Sequence, residues 1–332
     1  MSATNADAGY VTGRVTFDVL PDEILLDIFD FYRMGSTFYP WMWLTLAHVC
    51  PRWRRVVFES PRRLDLQLLC RPRTRVKELL DYLPPAMPIM ISNAFTSPTL
   101  SLEDWSQIIA AIEQRDRVWW IHLQDIPSAL WEKLAAMMQE TFPTLKYVRL
   151  WVVGEENAPV LPEGFLGGSA PGLETFWLSG IPFPEVSRLL LSTNDLINFV
   201  LERIPDSGYV PPEAMIAALS TCANLEMLVI EFLSDDPHPS LTGQEITSLA
   251  RVSLPALTYF NFYGNGGYFD NFAPRIESPL LARDNGFNGS YWQHDTSLNR
   301  HVSYEASFTP NGFLSRYSSR PLLNLNPVPE EE

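Results

Sequence analysis

The sequence predicts an α/β protein, with an N-terminal three-helix module followed by a solenoid of short parallel strands and outer helices. Three observations predict it. Residues 17–58 carry apolar residues at helical spacing between capping and breaking signals. From Val118 onward one pattern, apolar-x-x-apolar-x-apolar, recurs at intervals of 23 to 32 residues. The 28 prolines punctuate the 332 residues as joints between short repeated segments would.

Residues 17–33 read FDVLPDEILLDIFDFYR. Asp18 or Asp22 can cap a helix here, Pro21 is tolerated in its first turn, and acids there suit the helix dipole. Ile24, Leu25, Ile28 and Phe29 form its apolar stripe. After a loop with Gly35 and Pro40, residues 41–58 read WMWLTLAHVCPRWRRVVF. Trp43, Leu46, Val49 and Cys50 are expected on one face of a second helix that Pro51 ends or kinks. Trp53, Val56 and Val57 make a third short face. A module this small buries too little to be stable alone, so part of its apolar surface is expected to await a partner.

The recurring pattern appears as Val118-x-x-Ile121-x-Leu123, Leu145-x-x-Val148-x-Leu150, Leu173-x-x-Phe176-x-Leu178, Leu196-x-x-Phe199-x-Leu201, Leu225-x-x-Leu228-x-Ile230 and Leu257-x-x-Phe260-x-Phe262. Fainter copies sit at Leu64-x-Leu66 and Ile89-x-Ile91. This is the signature of irregular leucine-rich repeats, since the asparagine usual after the strand is missing. Helices are expected between strands. Ser101 caps Trp105, Ile108, Ile109 and Ile112 at i, i+3, i+4, i+7. Pro127-Ser128 opens a second, with Leu130, Trp131, Leu134, Met137 and Met138 on its buried side. Pro184 to Ser192, Pro212 to Ser220 and a capping box at Thr242-x-x-Glu245 continue the series.

If the fourth and sixth pattern positions point inward, the third, fifth and seventh line the concave face. Those positions hold Trp120, His122, Tyr147, Arg149, Trp151, Thr175, Trp177, Ser179, Asn198, Val200 and Glu202. They continue through Met227, Val229, Glu231, Tyr259, Asn261 and Tyr263. Exposed aromatic and arginine side chains are what binding hot spots are made of, so a client is expected at Trp120, His122, Tyr147, Arg149, Trp151, Trp177, Met227, Glu231, Tyr259 and Tyr263.

Charge is divided along the chain. Through Lys77 there are 11 cations and 8 acids, net +3; the remainder carries 13 cations and 31 acids, net −18. The basic cluster Arg52–Lys77 could meet nucleic acid, but an acidic neighbour is the expected partner because the rest of the chain repels phosphate. No run of eighteen apolar residues spans a membrane, and the first residues, MSATNADAGYVTG, lack the apolar core of a secretory signal. Cys50, Cys70 and Cys222 form no paired framework, which points to a reduced compartment, cytoplasm or nucleus. Five scattered histidines, no GxSxG elbow, no HExxH and no phosphate loop argue for no catalysis, no metal and no cofactor.

The blocks LPDEILLDIF (20–29) and VCPRWRRVVF (49–58) resemble the F-box. With FYR, SPRRLDLQLLC and later blocks such as DRVWWIHLQDIP and VLPEGFLGGSAPGLETFWLSGIPFP, the chain resembles, over roughly residues 17–283, the F-box proteins expanded in mushroom-forming fungi. The resemblance implies an F-box at 17–64 docking a Skp-type adaptor and, through it, a cullin-based ubiquitin ligase, with repeats at 65–283 holding a protein client. Its docking positions would be Leu20, Pro21, Ile24, Leu25, Ile28, Phe29, Leu46, Val49, Cys50, Trp53 and Val56. Pro51 departs from the pattern, where a basic residue is usual. Residues 1–16 are expected to be disordered and 284–332 to be a cap or a tail, disordered past Tyr317.

Overall fold

The start of the chain is organised by caps and one proline. The structure, a computed structural model, describes residues 19–34, 43–61, 63–64, 66–85, 87–93, 100–152, 160–234, 250–283 and 301–307. Helix α1 (Asp22–Met34) carries Asp22 and Glu23 in its first turn, at the positive end of its dipole. Helix α2 (Trp43–Val49) stops because the proline at 51 disfavours helical backbone at 50, and Cys50 is extended at φ −156°, ψ 167°. Helix α3 (Pro51–Glu59) then uses Pro51 at its first position, where the missing N–H costs nothing. The Trp53 N–H donates to the Cys50 thiol at 3.4 Å, so this cysteine is the helix cap.

Two expectations are corrected here. The buried face of α2 is Trp43, Leu46 and Ala47; Val49 is exposed and Cys50 lies beyond the helix. The apolar stripe of α1 divides: Leu25, Leu26 and Phe29 face the core, whereas Ile24 and Ile28 are exposed. Adjacent residues stand about 100° apart on a helix, so each pair sends one member each way.

Beyond Leu64 and Leu66 the chain alternates strand and return segment. First come β1 (Leu68–Cys70), α4 (Val76–Tyr82), β2 (Ile89–Ser92), α5 (Leu102–Ile112), β3 (Val118–Gln124), α6 (Ser128–Met137), β4 (Tyr147–Trp151) and β5 (Thr175–Ser179). Then follow α7 (Val186–Leu190), β6 (Asn198–Ile204), α8 (Pro212–Leu219), β7 (Met227–Phe232), β8 (Val252–Ser253), β9 (Tyr259–Asn265), α9 (Gly266–Phe272), β10 (Ile276–Glu277), α10 (Pro279–Arg283) and β11 (His301–Ser307). Among the described residues the main sheet runs β1-β2-β3-β4-β5-β6-β7-β9-β11, parallel throughout except for β11, which closes the row antiparallel to β9. Strands β8 and β10 pair separately. The faint copy at Leu64-x-Leu66 is not a strand; those two leucines are buried ahead of β1. The Thr242–Glu245 box and the tail outside 301–307 lie beyond the described residues, as do residues 1–16.

One joint recurs at four strand entries. The carbonyl of Lys146 accepts from the N–H groups of Glu174 and Thr175; that of Glu174 accepts from Ile197 and Asn198. Ile197 receives Glu226 and Met227, and Glu226 receives Thr258 and Tyr259, all at 2.8–3.0 Å. Such repetition locks register strand by strand. A slip of one residue would turn every buried side chain outward.

The pattern positions assigned inward are inward. Ile121, Leu123, Val148, Leu150, Phe176, Leu178, Phe199, Leu201, Leu228, Ile230, Phe260 and Phe262 are all buried. Each contributes about 2 kcal/mol of burial, and Phe176 stacks on Phe199 in the next strand at 6.2 Å. Against this face pack the helices. In α5 the Ser101 hydroxyl accepts from the Asp104 N–H and the Asp104 carboxylate accepts from the Ser101 N–H, a capping box that starts the helix burying Trp105, Ile108 and Ile112. In α6 the buried side chains are Trp131 and Leu134, with Met138 just past its end. At the end of β2, Asn93 bridges to the next repeat unit: its side chain donates an amide N–H to the Gln124 carbonyl at 2.7 Å and accepts from the Gln124 N–H at 2.9 Å.

Candidate functional site

Two surfaces stand out, one on the helical module and one on the sheet face away from the helices. On α1, the outward members of the divided stripe continue past the expected residues. Ile24 is 44% exposed and Phe31 82%, with Pro21, Ile28 and Tyr32 also open to solvent. Positions 24, 28 and 31 follow i, i+4, i+7, so they form one ridge. Val49, at the end of α2, is 59% exposed. Of the expected docking positions, Leu25, Phe29, Leu46 and Val56 are buried, while Leu20, Cys50 and Trp53 are partly buried. Trp53 packs on Phe29 at 4.7 Å. Sequence reasoning missed Phe31 and Tyr32, although the heptad spacing from Ile24 was there to be read.

The basic cluster is drawn into this module and its neighbour. Arg52 pairs with Asp22 at 2.7 Å and also donates to the Leu20 carbonyl, which ties α3 to the start of α1. Arg63 bonds Asp27 and Asp30, Arg54 donates to the Ala47 carbonyl, Arg73 faces Asp104 and Arg75 faces Glu78. All but Arg54, which meets a backbone carbonyl, face acids of the same chain.

On the sheet, the positions expected to face outward do form rows. Trp120, Tyr147, Thr175, Asn198, Met227 and Tyr259 are register partners across six strands. The next row runs His122, Arg149, Trp177, Val200, Val229 and Asn261. A third holds Gln124, Trp151, Ser179 and Glu202, with Glu231 paired to Tyr263. The side chains are less exposed than the alternation alone suggests, because neighbours in a row cover one another. Trp120 stacks face to face on Tyr147 at 3.4 Å, and the Arg149 guanidinium lies 3.7 Å over the Trp177 ring. Val200 and Val229, short chains between longer ones, are buried. Tyr263 remains 38% exposed.

The electrostatics are uneven across this face. Burial, then the charge of Arg149, pushes His122 down to about 4, so it is a neutral imidazole. The Trp177 Nε1–H donates to Glu202 at 3.0 Å, and the Asn261 amide donates to Glu231 at 2.8 Å. Burial raises Glu202, partly offset by Trp177 and Arg149; burial and then the charge of Glu202 raise Glu231. The two carboxylates are neighbours because Leu201 and Ile230, the residues before them, are register partners. Directly after Glu202 the register shifts and Arg203 takes a left-handed φ of 52°, a bulge that sets where this side chain points. Sequence reasoning had placed Glu202 on this face without singling it out. Among the described residues the Nε of Arg149 and the indole N–H of Trp151 are buried without a hydrogen-bond partner.

Two of the three cysteines are buried. Burial raises the Cys70 thiol to about 12 and Cys222 also upward, opposite to a reactive thiolate. Among the described residues no cluster of three His, Cys, Asp or Glu could hold a metal, and no helix is long and apolar enough to cross a membrane.

Residues 17–67 match the F-box-like family model, so the three-helix module at the N-terminus is an F-box-like domain. Domains of this kind generally bind Skp-type adaptors. No curated protein matches the chain, and no solved structure does.

Proposed function

We propose that the chain is a non-catalytic substrate-recognition adaptor of a Skp/cullin-type ubiquitin ligase, working in the cytoplasm or nucleus. Its strand-and-helix units are irregular leucine-rich repeats of a solenoid, as in the F-box proteins of mushroom-forming fungi, and their outward sheet face holds a protein client. The observation that carries this reading is the uncovered apolar ridge Ile24, Ile28 and Phe31, with Val49 beside it, on an F-box-like module. A surface of that kind on a small helical module marks a protein interface. The engagement of Arg52, Arg54, Arg63 and Arg73 within the chain weighs against a nucleic-acid role.

Co-expression with a Skp-type adaptor tests it. The wild-type chain should co-purify with the adaptor, and Ile24→Glu or Phe31→Glu, both at exposed positions, should cut recovery at least tenfold while leaving the circular dichroism spectrum unchanged. Recovery indifferent to both substitutions would sink the adaptor assignment.

A further inference from the structure

We infer that the stretch Pro321–Glu332 docks in cis across the first four strands of the outward sheet face. The docking stands on the face itself, and its consequence, a built-in competitor for a client, rests on the client-binding reading above.

The surface comes first. Leu69, Met90, Trp120 and Tyr147 are register partners on β1 to β4. Each alternates with buried neighbours along its strand, so each belongs to the outward face, and each is only partly buried. No charge interrupts this row. The stacked Trp120 and Tyr147 rings, with Trp119 edge-on to Trp120 at 5.6 Å, make its centre aromatic. Beyond the stripe the chain leaves β1 for α4, whose start carries Arg75 and Lys77, both exposed. Arg75 meets Glu78 at 3.5 Å with both side chains mostly in solvent. A pair of that kind contributes about 0–1 kcal/mol, so the arginine can exchange one carboxylate for another.

The same row fixes where the occupant sets out. On its far side it runs through Thr175, Asn198 and Met227 to Tyr259, whose partner is Ser307, the last residue of β11. The 25 residues that follow therefore leave the sheet at the opposite end of this row. From β11 to β4 is five strand spacings and to β1 eight, roughly 24 and 38 Å. Leu322 lies 15 residues past Ser307 and Glu330 lies 23 past it, extended reaches of roughly 50 and 75 Å. Both ends of the stripe are in range, with slack.

The chemistry then matches in order. Residues 321–332 read PLLNLNPVPEEE. Leu322, Leu323, Leu325 and Val328 supply apolar contacts for the stripe. Pro321, Pro327 and Pro329 fix three φ angles, which lowers the entropy lost on docking, and proline-rich segments seat on aromatic grooves. Glu330 to Glu332 come last, as the cations Arg75 and Lys77 come last on the face. Apolar contact followed by charge of opposite sign selects this segment.

The test uses the full 332-residue chain and a fluorescein-labelled peptide of residues 319–332, read by fluorescence anisotropy. Leu322→Ser, Leu323→Ser and Leu325→Ser together in the chain should uncover the face, and this triple variant should bind the peptide. With a tether that sets an effective concentration on the order of 1 mM, a peptide of Kd about 100 µM should bind the wild-type chain about tenfold more weakly. A peptide carrying the same three serines should not bind. One with Glu330, Glu331 and Glu332 replaced by Gln should bind more weakly and with a shallower salt dependence. Peptide variants leave the folding of the chain untouched, so their losses report the contact itself. Met90→Glu added to the triple variant should abolish binding.

Equal binding to the wild-type and triple-variant chains, or none to either, overturns the docking. Binding that Met90→Glu leaves intact places the segment elsewhere and overturns it too. Wild-type self-association that vanishes in the triple variant would seat the segment on a second copy, against the cis contact. The client-binding reading fails separately, when the triple variant captures no more protein from a lysate than its Trp120→Ala form.

Discussion

At the scale of single residues, the outward sheet face carries three groups whose protonation differs between the folded and unfolded chain, and their signs oppose. His122 titrates near 4 when folded, below its ordinary 6.5. Between those values the unfolded chain binds more protons, so His122 costs stability as pH falls from about 6.5 toward 4. Glu202 and Glu231 are raised above their ordinary 4.5, so the folded chain holds their protons more tightly and they add stability as pH falls through that raised range. His122→Gln should therefore flatten the acid side of the stability profile. Relative to wild type it should gain on the order of 2 kcal/mol between pH 6.5 and 4, read by urea denaturation at several pH values. Glu231→Gln removes a half-buried charge that faces another, yet its oxygen can still accept from Asn261. It should stabilise the chain at pH 7 by about 1 kcal/mol, and a loss there would mean that Glu231 is a structural anchor.

At the scale of elements, strands and helices differed in how much of them could be read from sequence. The buried pairs such as Phe176 and Leu178 alternate with period two and recur, so the strands and the sheet's two faces were legible. So were the caps of α5 and the opening of α6, because their chemistry is local. Two kinds of feature were not. On α1 two adjacent apolar pairs, Ile24-Leu25 and Ile28-Phe29, share one pattern, and only packing tells which member of each is spare. In β6 the bulge after Glu202 leaves no mark in composition, since Arg203 is a residue that seldom adopts positive φ. That strain makes a prediction. Arg203→Gly relieves a left-handed backbone at a bulge and should stabilise the chain by about 1 kcal/mol in denaturant titration. Gly180 shows the converse: at φ +69°, a Cβ would come within 2.7 Å of the Val152 carbonyl oxygen, so Gly180→Ala should destabilise by several degrees of melting temperature.

At the scale of the whole molecule, the question is whether the F-box-like helices hang on the sheet or are part of it. The buried side chains form one continuous cluster from Leu25 and Phe29 through Val56 and Val57, Leu64, Leu66 and Leu68, into the sheet. The Trp43 indole N–H donates to the Gln67 carbonyl at 2.9 Å, pinning α2 to the segment that enters β1. A module that shares the core of the sheet in this way would, in the proposed ligase, hold the client at a fixed direction from the adaptor rather than on a tether. Arrays of repeats exchange their amide hydrogens in neighbouring cooperative blocks, since each unit leans on the next. If the helices are the first block of the array, amides of α2 and α3 should be protected to within about 1 kcal/mol of those in β1 to β3. Leu66→Ala, at the seam, should lower both sets together by about 2–4 kcal/mol. Helices that exchange far sooner than β2 and β3, or a Leu66→Ala effect confined to one side, would mean two units that merely touch.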